Sequence, residues 1–154
     1  MAAGSAGVLI GFSSTILTLL ITSGAGVLNQ RALVATLVLL VFAIVFFSSA
    51  TDFYVTGAWR ASTIKEYNTW GLRGSKAYGL GMGWLVVSIG TMFLALVSPV
   101  ELAYLPPSLF LGSWVVLFAV RKNEPDDKTR WAFRAAMFAQ IAAGLILIRC
   151  LGGA

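Results

Sequence analysis

Residues 1 to 30 of this chain carry no charge at all, and most later charges are confined to short stretches between long apolar runs. That spacing is the strongest constraint on the fold. A helix rises about 1.5 Å per residue and a bilayer's hydrocarbon core is about 30 Å thick, so an uncharged run of about 20 residues is long enough to cross it. Five apolar runs of about this length are present, at approximately 6–28, 32–50, 80–100, 102–120 and 131–151, the last uncharged only between Arg134 and Arg149. The expected fold is therefore an all-α, multi-pass transmembrane helical bundle of about five spans, forming one integral membrane domain. A four-span variant follows if the first run does not cross.

Composition enters as a check on this reading. Of 154 residues, 58% are apolar and 11% charged, against about 25% charged in soluble proteins. So few charges would leave apolar patches larger than soluble monomers expose. The net charge of +5 does not point to nucleic acid, because the cations sit in connectors and form no basic stripe with interleaved aromatics. No histidine and a single cysteine, Cys150, occur. Histidine-ligated haem or metal, a histidine-based triad and an intrachain disulfide are thereby excluded.

The chain can be followed run by run. The first basic residue is Arg31, so the opening run lacks the positive start of a cleaved leader. Asn29, Gln30 and Arg31 leave room only for a tight hairpin between the first two runs. A polar and aromatic segment, 52–78, follows the second run. In it Trp59, Arg60, Lys65, Tyr67, Trp70, Arg73, Lys76 and Tyr78 combine interface-seeking rings with cations, which predicts a loop on the membrane surface that also contacts partners. Gly79, Gly81 and Gly83 precede Trp84; without a preceding strand or a GxGxxG pattern they predict a flexible or closely packed helix entry instead of a phosphate cradle. Pro106 and Pro107 interrupt the fourth run, so its helix either kinks there or begins there and is short. Pro125, Asp126 and Asp127 favour the start of the last helix.

Five crossings put Arg60, Lys65, Arg73, Lys76, Arg121, Lys122, Lys128, Arg130 and Arg134 on one side and Arg31 and Arg149 on the other. By the excess of Lys and Arg in inward loops, the N-terminus and both long loops are expected on the cytoplasmic-equivalent side.

Two small-residue patterns stand out. Gly4, Gly7, Gly11, Ser14, Thr18 and Thr22 recur at spacings of three and four, which places them on one helix face suited to close approach and hydroxyl bonding between helices. Ala132, Ala136, Ala139 and Ala143 repeat the pattern in the last run, with Gln140 as an interhelical hydrogen bonder. Contact with the chain's own neighbouring helices is the first expectation for the glycine stripe, contact with another subunit the second.

No constellation specifies a chemistry. Asp52 and Glu101 fall about a bilayer apart by parity and cannot act as a pair. The expected function is a non-catalytic accessory, structural or assembly subunit of a larger membrane complex, with membrane lipids and other integral subunits as partners. A self-associating tetraspan-like organiser is one alternative. A small transporter or channel using Glu101, Pro106 and Pro107 is another, since broken helices form transport sites. No cofactor is indicated; a lipid or a pigment held through backbone carbonyls would leave no sequence signature.

Overall fold

A computed structural model describes residues 2–23, 26–96, 100–120 and 128–153, with side-chain detail over 4–22, 26–96, 100–115 and 131–153. Among the described residues all regular structure is helical: α1 (Ala2–Ser23), α2 (Gln30–Arg60), α3 (Ile64–Leu96), a 3-10 turn (Val100–Tyr104), α4 (Leu105–Val120) and α5 (Lys128–Gly152). Four of these, over Gly4–Thr22, Gln30–Arg60, Ile64–Leu96 and Trp131–Gly152, are long and apolar enough to cross a membrane. The acids expected to start the last helix, at 125–127, lie outside the described residues.

Two differences from the sequence expectation concern helix ends. The segment 52–78 is not a loop. It is helical except at 61–63, because α2 continues through Asp52 to Arg60 and α3 begins at Ile64. Polar and charged side chains there do not end the helices, because the backbone hydrogen bonds do not depend on them. The fourth run begins as a 3-10 turn and becomes α-helix at Leu105. Pro106 and Pro107 therefore occupy the first turn, where N–H groups have no intrahelical acceptor and their loss costs nothing. At 16 residues, α4 is about 24 Å long and falls short of a hydrocarbon crossing on its own.

The chain divides into two compact units. One comprises Met1–Gly24 and Leu37–Leu85, the other Ala25–Thr36 and Val86–Ala154.

In the first unit, α2 and α3 form an antiparallel hairpin in which an aromatic ring on one helix repeatedly covers a glycine on the other. A Cβ placed on Gly57 would lie 2.7 Å from that of Trp70, one on Gly74 2.7 Å from the Tyr54 ring, and one on Gly81 2.8 Å from the Phe47 ring. Ala43, Ala50 and Gly57 recur every seven residues on α2 and are all buried, which is the spacing that keeps one face toward a neighbouring helix. Ring pairs line the same seam, Phe42 with Trp84 at 5.6 Å and Phe47 with Tyr78 at 5.7 Å. The Tyr54 hydroxyl and Ser75 Oγ are 3.1 Å apart. α1 contributes Ala6 to a cluster with Ala50 and Ala77.

The second unit is built on Ala32, Leu94, Ala95, Ala103 and Ile148. Gly90 is a point of close approach in it. A Cβ there would meet the Ala103 carbonyl oxygen at 2.6 Å and Ile148 at 2.9 Å. Gly144 similarly admits the methyls of Val87. At one end of this unit the start of α2 and the ends of α3 and α5 are tied together. Leu28 N–H donates to the Ala95 carbonyl (2.8 Å), Asn29 Nδ2 donates to the Leu151 carbonyl (2.9 Å), and Asn29 Oδ1 accepts from Ala32 N–H (3.0 Å). Asn29 is thus the N-cap of α2 and also satisfies a terminal carbonyl of α5, a group a helix leaves without an internal partner.

Candidate helix-docking and interfacial surfaces

α1 turns toward the rest of the chain a face different from the one its small residues suggest. Ala6, Ser13 and Leu20, spaced by seven, are its buried residues. Gly4, Gly7, Gly11, Thr18 and Thr22 are exposed and Ser14 is half-buried. Among the described residues, no atom of a neighbouring element lies within 4 Å of a Cβ built on Gly4, Gly7 or Gly11. The expected contact of this stripe with the chain's own helices is therefore not made by the described residues. Its hydroxyls do not bridge helices either: Thr18 donates to the Ser14 carbonyl and Thr22 to the Thr18 carbonyl, both at 2.9 Å.

The same inversion occurs on α5. Ala132, Ala136, Ala139 and Ala143 are exposed, while Met137, Gln140, Ile141, Gly144 and Ile148 form the buried face. Gln140 lies on that buried face. Spacing alone does not separate the two faces of such a helix, because both carry residues three and four apart. The usable signal was volume. Met137, Ile141 and Ile148 give the inward face bulk to bury, and Gly144 gives it one recess.

Buried polar groups gather in the second unit. Thr36 Oγ1 lies 2.9 Å from Thr91 Oγ1 and 2.8 Å from the Ala32 carbonyl, and Thr91 Oγ1 donates to the Ser88 carbonyl at 3.0 Å. Thr36 has one hydroxyl proton for its two acceptors. The hydroxyl pair joins α2 to α3 in the buried interior of the unit. In the first unit Ser13 Oγ is fully buried with no hydrogen-bond partner.

The hairpin end carries the aromatic and basic side chains. Trp59 is 86% exposed, Ile64 80% and Tyr67 56%, with Arg60, Lys65 and Arg73 also exposed. Trp70, half-buried over Gly57, lies under the Arg73 guanidinium at 5.0 Å from ring centroid to Cζ. Lys76 and Tyr78 are half-buried lower on α3. The turn is closed by hydrogen bonds around Glu66, whose Oε2 accepts from the Ser62 N–H and hydroxyl at 2.9 Å while its own N–H donates to Thr63 Oγ1 at 3.2 Å. These bonds, the Ser62 N–H first, hold the Glu66 carboxyl below the usual glutamate range. Thr63-Ile64-Lys65-Glu66 matches the Ser/Thr-x-x-Glu pattern of a capping box, the sequence signal that marks α3 as starting well before the apolar run.

The residues considered for transport do not converge. Glu101 is exposed on the 3-10 turn, whereas Pro107 is fully buried with its Cδ 3.5 Å from a Cβ built on Gly90. A pocket between α4 and α5, lined by Phe110, Leu111, Trp114, Met137, Phe138 and Ile141, measures about 10 Å³. That is at the lower limit for one water, and its lining is apolar.

No family model, curated protein or solved structure matches the chain.

Proposed function

We propose that this chain is a multi-pass membrane protein that works by association, as a non-catalytic accessory or assembly subunit whose outward small-residue faces receive helices of other membrane proteins. The observation that carries it is the contrast among its glycines. Gly57, Gly74, Gly81, Gly90 and Gly144 are each covered by a side chain or backbone of a neighbouring helix, whereas Gly4, Gly7 and Gly11 on α1 have nothing over them. Where this fold packs helices, it places bulk against glycine. The α1 face has the glycines without the bulk, and small-residue faces allow the close backbone approach on which association in lipid depends.

A fifth crossing is supported by the second unit. The 3-10 turn starts beside the end of α5, since Val100 lies against Gly152, and Trp114 late in α4 meets Phe133 early in α5 at 6.2 Å. α4 therefore runs antiparallel to α5 and away from the end where α3 finishes. The turn and α4 together span about 34 Å, enough for a fifth crossing. That parity keeps Arg31 and Arg149 on one side and the other nine cations on the opposite side.

The test is extraction in mild detergent and identification of what stays bound, for the natural chain and for Gly7→Leu with Gly11→Leu. Loss of a bound membrane protein from the double variant, with unchanged helix content and thermal stability, supports the reading. A monomer in both cases, together with intact membrane complexes when the gene is deleted, rejects it. The same α1 face serves the tetraspan-like alternative, which is distinguished by homo-oligomers of the purified chain in pure lipid.

A further inference from the structure

The end of the α2–α3 hairpin has a feature that association through α1 leaves unused. Trp59 and Ile64 are the most exposed of its large apolar side chains, at 86% and 80%. An indole and a butyl side chain held this far out, beside Tyr67 and among cations, are costly in water but suited to the headgroup zone, where rings and aliphatic stems lie among the glycerol and upper acyl groups. The charge balance favours cations: Arg60, Lys65, Arg73 and Lys76 stand against Asp52 and Glu66, and the Glu66 carboxylate already accepts two bonds from Ser62.

Helix length sets the depth. Arg31 and Arg60 lie near opposite ends of the continuous helix α2, and 29 residues of helix separate them by about 44 Å. Hydrocarbon plus both headgroup layers measures about 40–45 Å. A helix with Arg31 in one headgroup layer therefore delivers Arg60 to the other, not to the water beyond it.

We propose that Trp59, Arg60, Ile64, Lys65 and Tyr67 form a docking surface for the headgroups of acidic phospholipids in the membrane that this chain crosses. The cations meet the phosphate and the additional anionic charge, and Trp59 and Ile64 sit between neighbouring lipids. The inference rests on the membrane reading above and is independent of what covers α1.

The full chain, placed in nanodiscs of phosphatidylcholine with a minor share of phosphatidylglycerol, is examined by native mass spectrometry for retained lipids. Phosphatidylglycerol should be enriched severalfold over its bulk share, since each cation near an anionic surface contributes about fivefold. Enrichment should fall as salt is raised, and Arg60→Gln with Lys65→Gln should bring it close to the bulk ratio, whereas Arg31→Gln should not. The salt series uses the natural chain and so reads the surface even if the double variant misfolds. Retention at the bulk ratio, or equal loss with Arg31→Gln, overturns the proposal while leaving the membrane reading intact. Capture of an acidic protein through Arg60 and Lys65 with no lipid preference also overturns it. A chain that stays soluble without detergent and does not enter nanodiscs overturns both readings.

Discussion

The α2–α3 seam and the outward face of α1 are written in the same small residues, yet one is closed and the other open. At the seam, Trp70, Tyr54 and Phe47 cover Gly57, Gly74 and Gly81 in turn. Each aromatic side chain comes close enough that a Cβ on the glycine opposite would clash with it. On α1 the glycines meet no partner, and the hydroxyls of Thr18 and Thr22 are returned to their own helix. A glycine motif thus marks where a backbone can be approached, but only the bulky residue opposite marks where it is approached.

The most direct way to break this comparison is to fill both kinds of site. Gly81→Leu forces a branched side chain into the Phe47 ring and should cost about 3 kcal/mol in reversible unfolding in detergent. Gly144→Ala, with its methyl against Val87, should cost about 1.5 kcal/mol in the same assay; a neutral result would mean that α5 is held less closely than described. Ser13→Ala removes a buried hydroxyl that has no partner and should raise stability by about 1 kcal/mol. Gly11→Ala should also stabilise the isolated chain, by about 0.5 kcal/mol, because alanine is the better helix former and nothing stands in its way. Opposite signs for Gly144→Ala and Gly11→Ala are the central expectation, and equal losses at both would show that the α1 face is already occupied within the chain. The smallest effect is expected at the exposed hairpin turn. Because the Glu66 carboxyl titrates below its ordinary range, its contribution is complete above the usual glutamate range and is lost as the pH falls through the lowered value. Glu66→Gln should remove that dependence, as read from helix content in an acid titration.

The apolar runs were legible because hydrophobic length is a one-dimensional quantity. Helix ends were less so. Asp52 and the cations after it end the apolar run, but a charged side chain leaves the i to i−4 bonds unaffected, so the run and the helix end at different places. The capping pattern at Thr63 and Glu66 would have placed the turn correctly. The starting point of α4 was narrowed by Pro106 and Pro107 to two alternatives, and the first-turn position is the one realised. The directions of the small faces on α1 and α5 were not legible. Spacing fixes which residues share a face, but the choice between Ala6, Ser13, Leu20 and the glycine stripe depends on the volume offered by other helices far away in sequence.

One contact sets a condition on how the chain is made. Asn29 caps α2, but its side-chain amide also bonds a carbonyl 122 positions later. Until Leu151 is in place the Asn29 amide lacks that acceptor, whereas its side-chain oxygen can already cap Ala32. A residue at the start of α2 therefore completes its bonding only after the whole stretch of chain between it and α5 has been added.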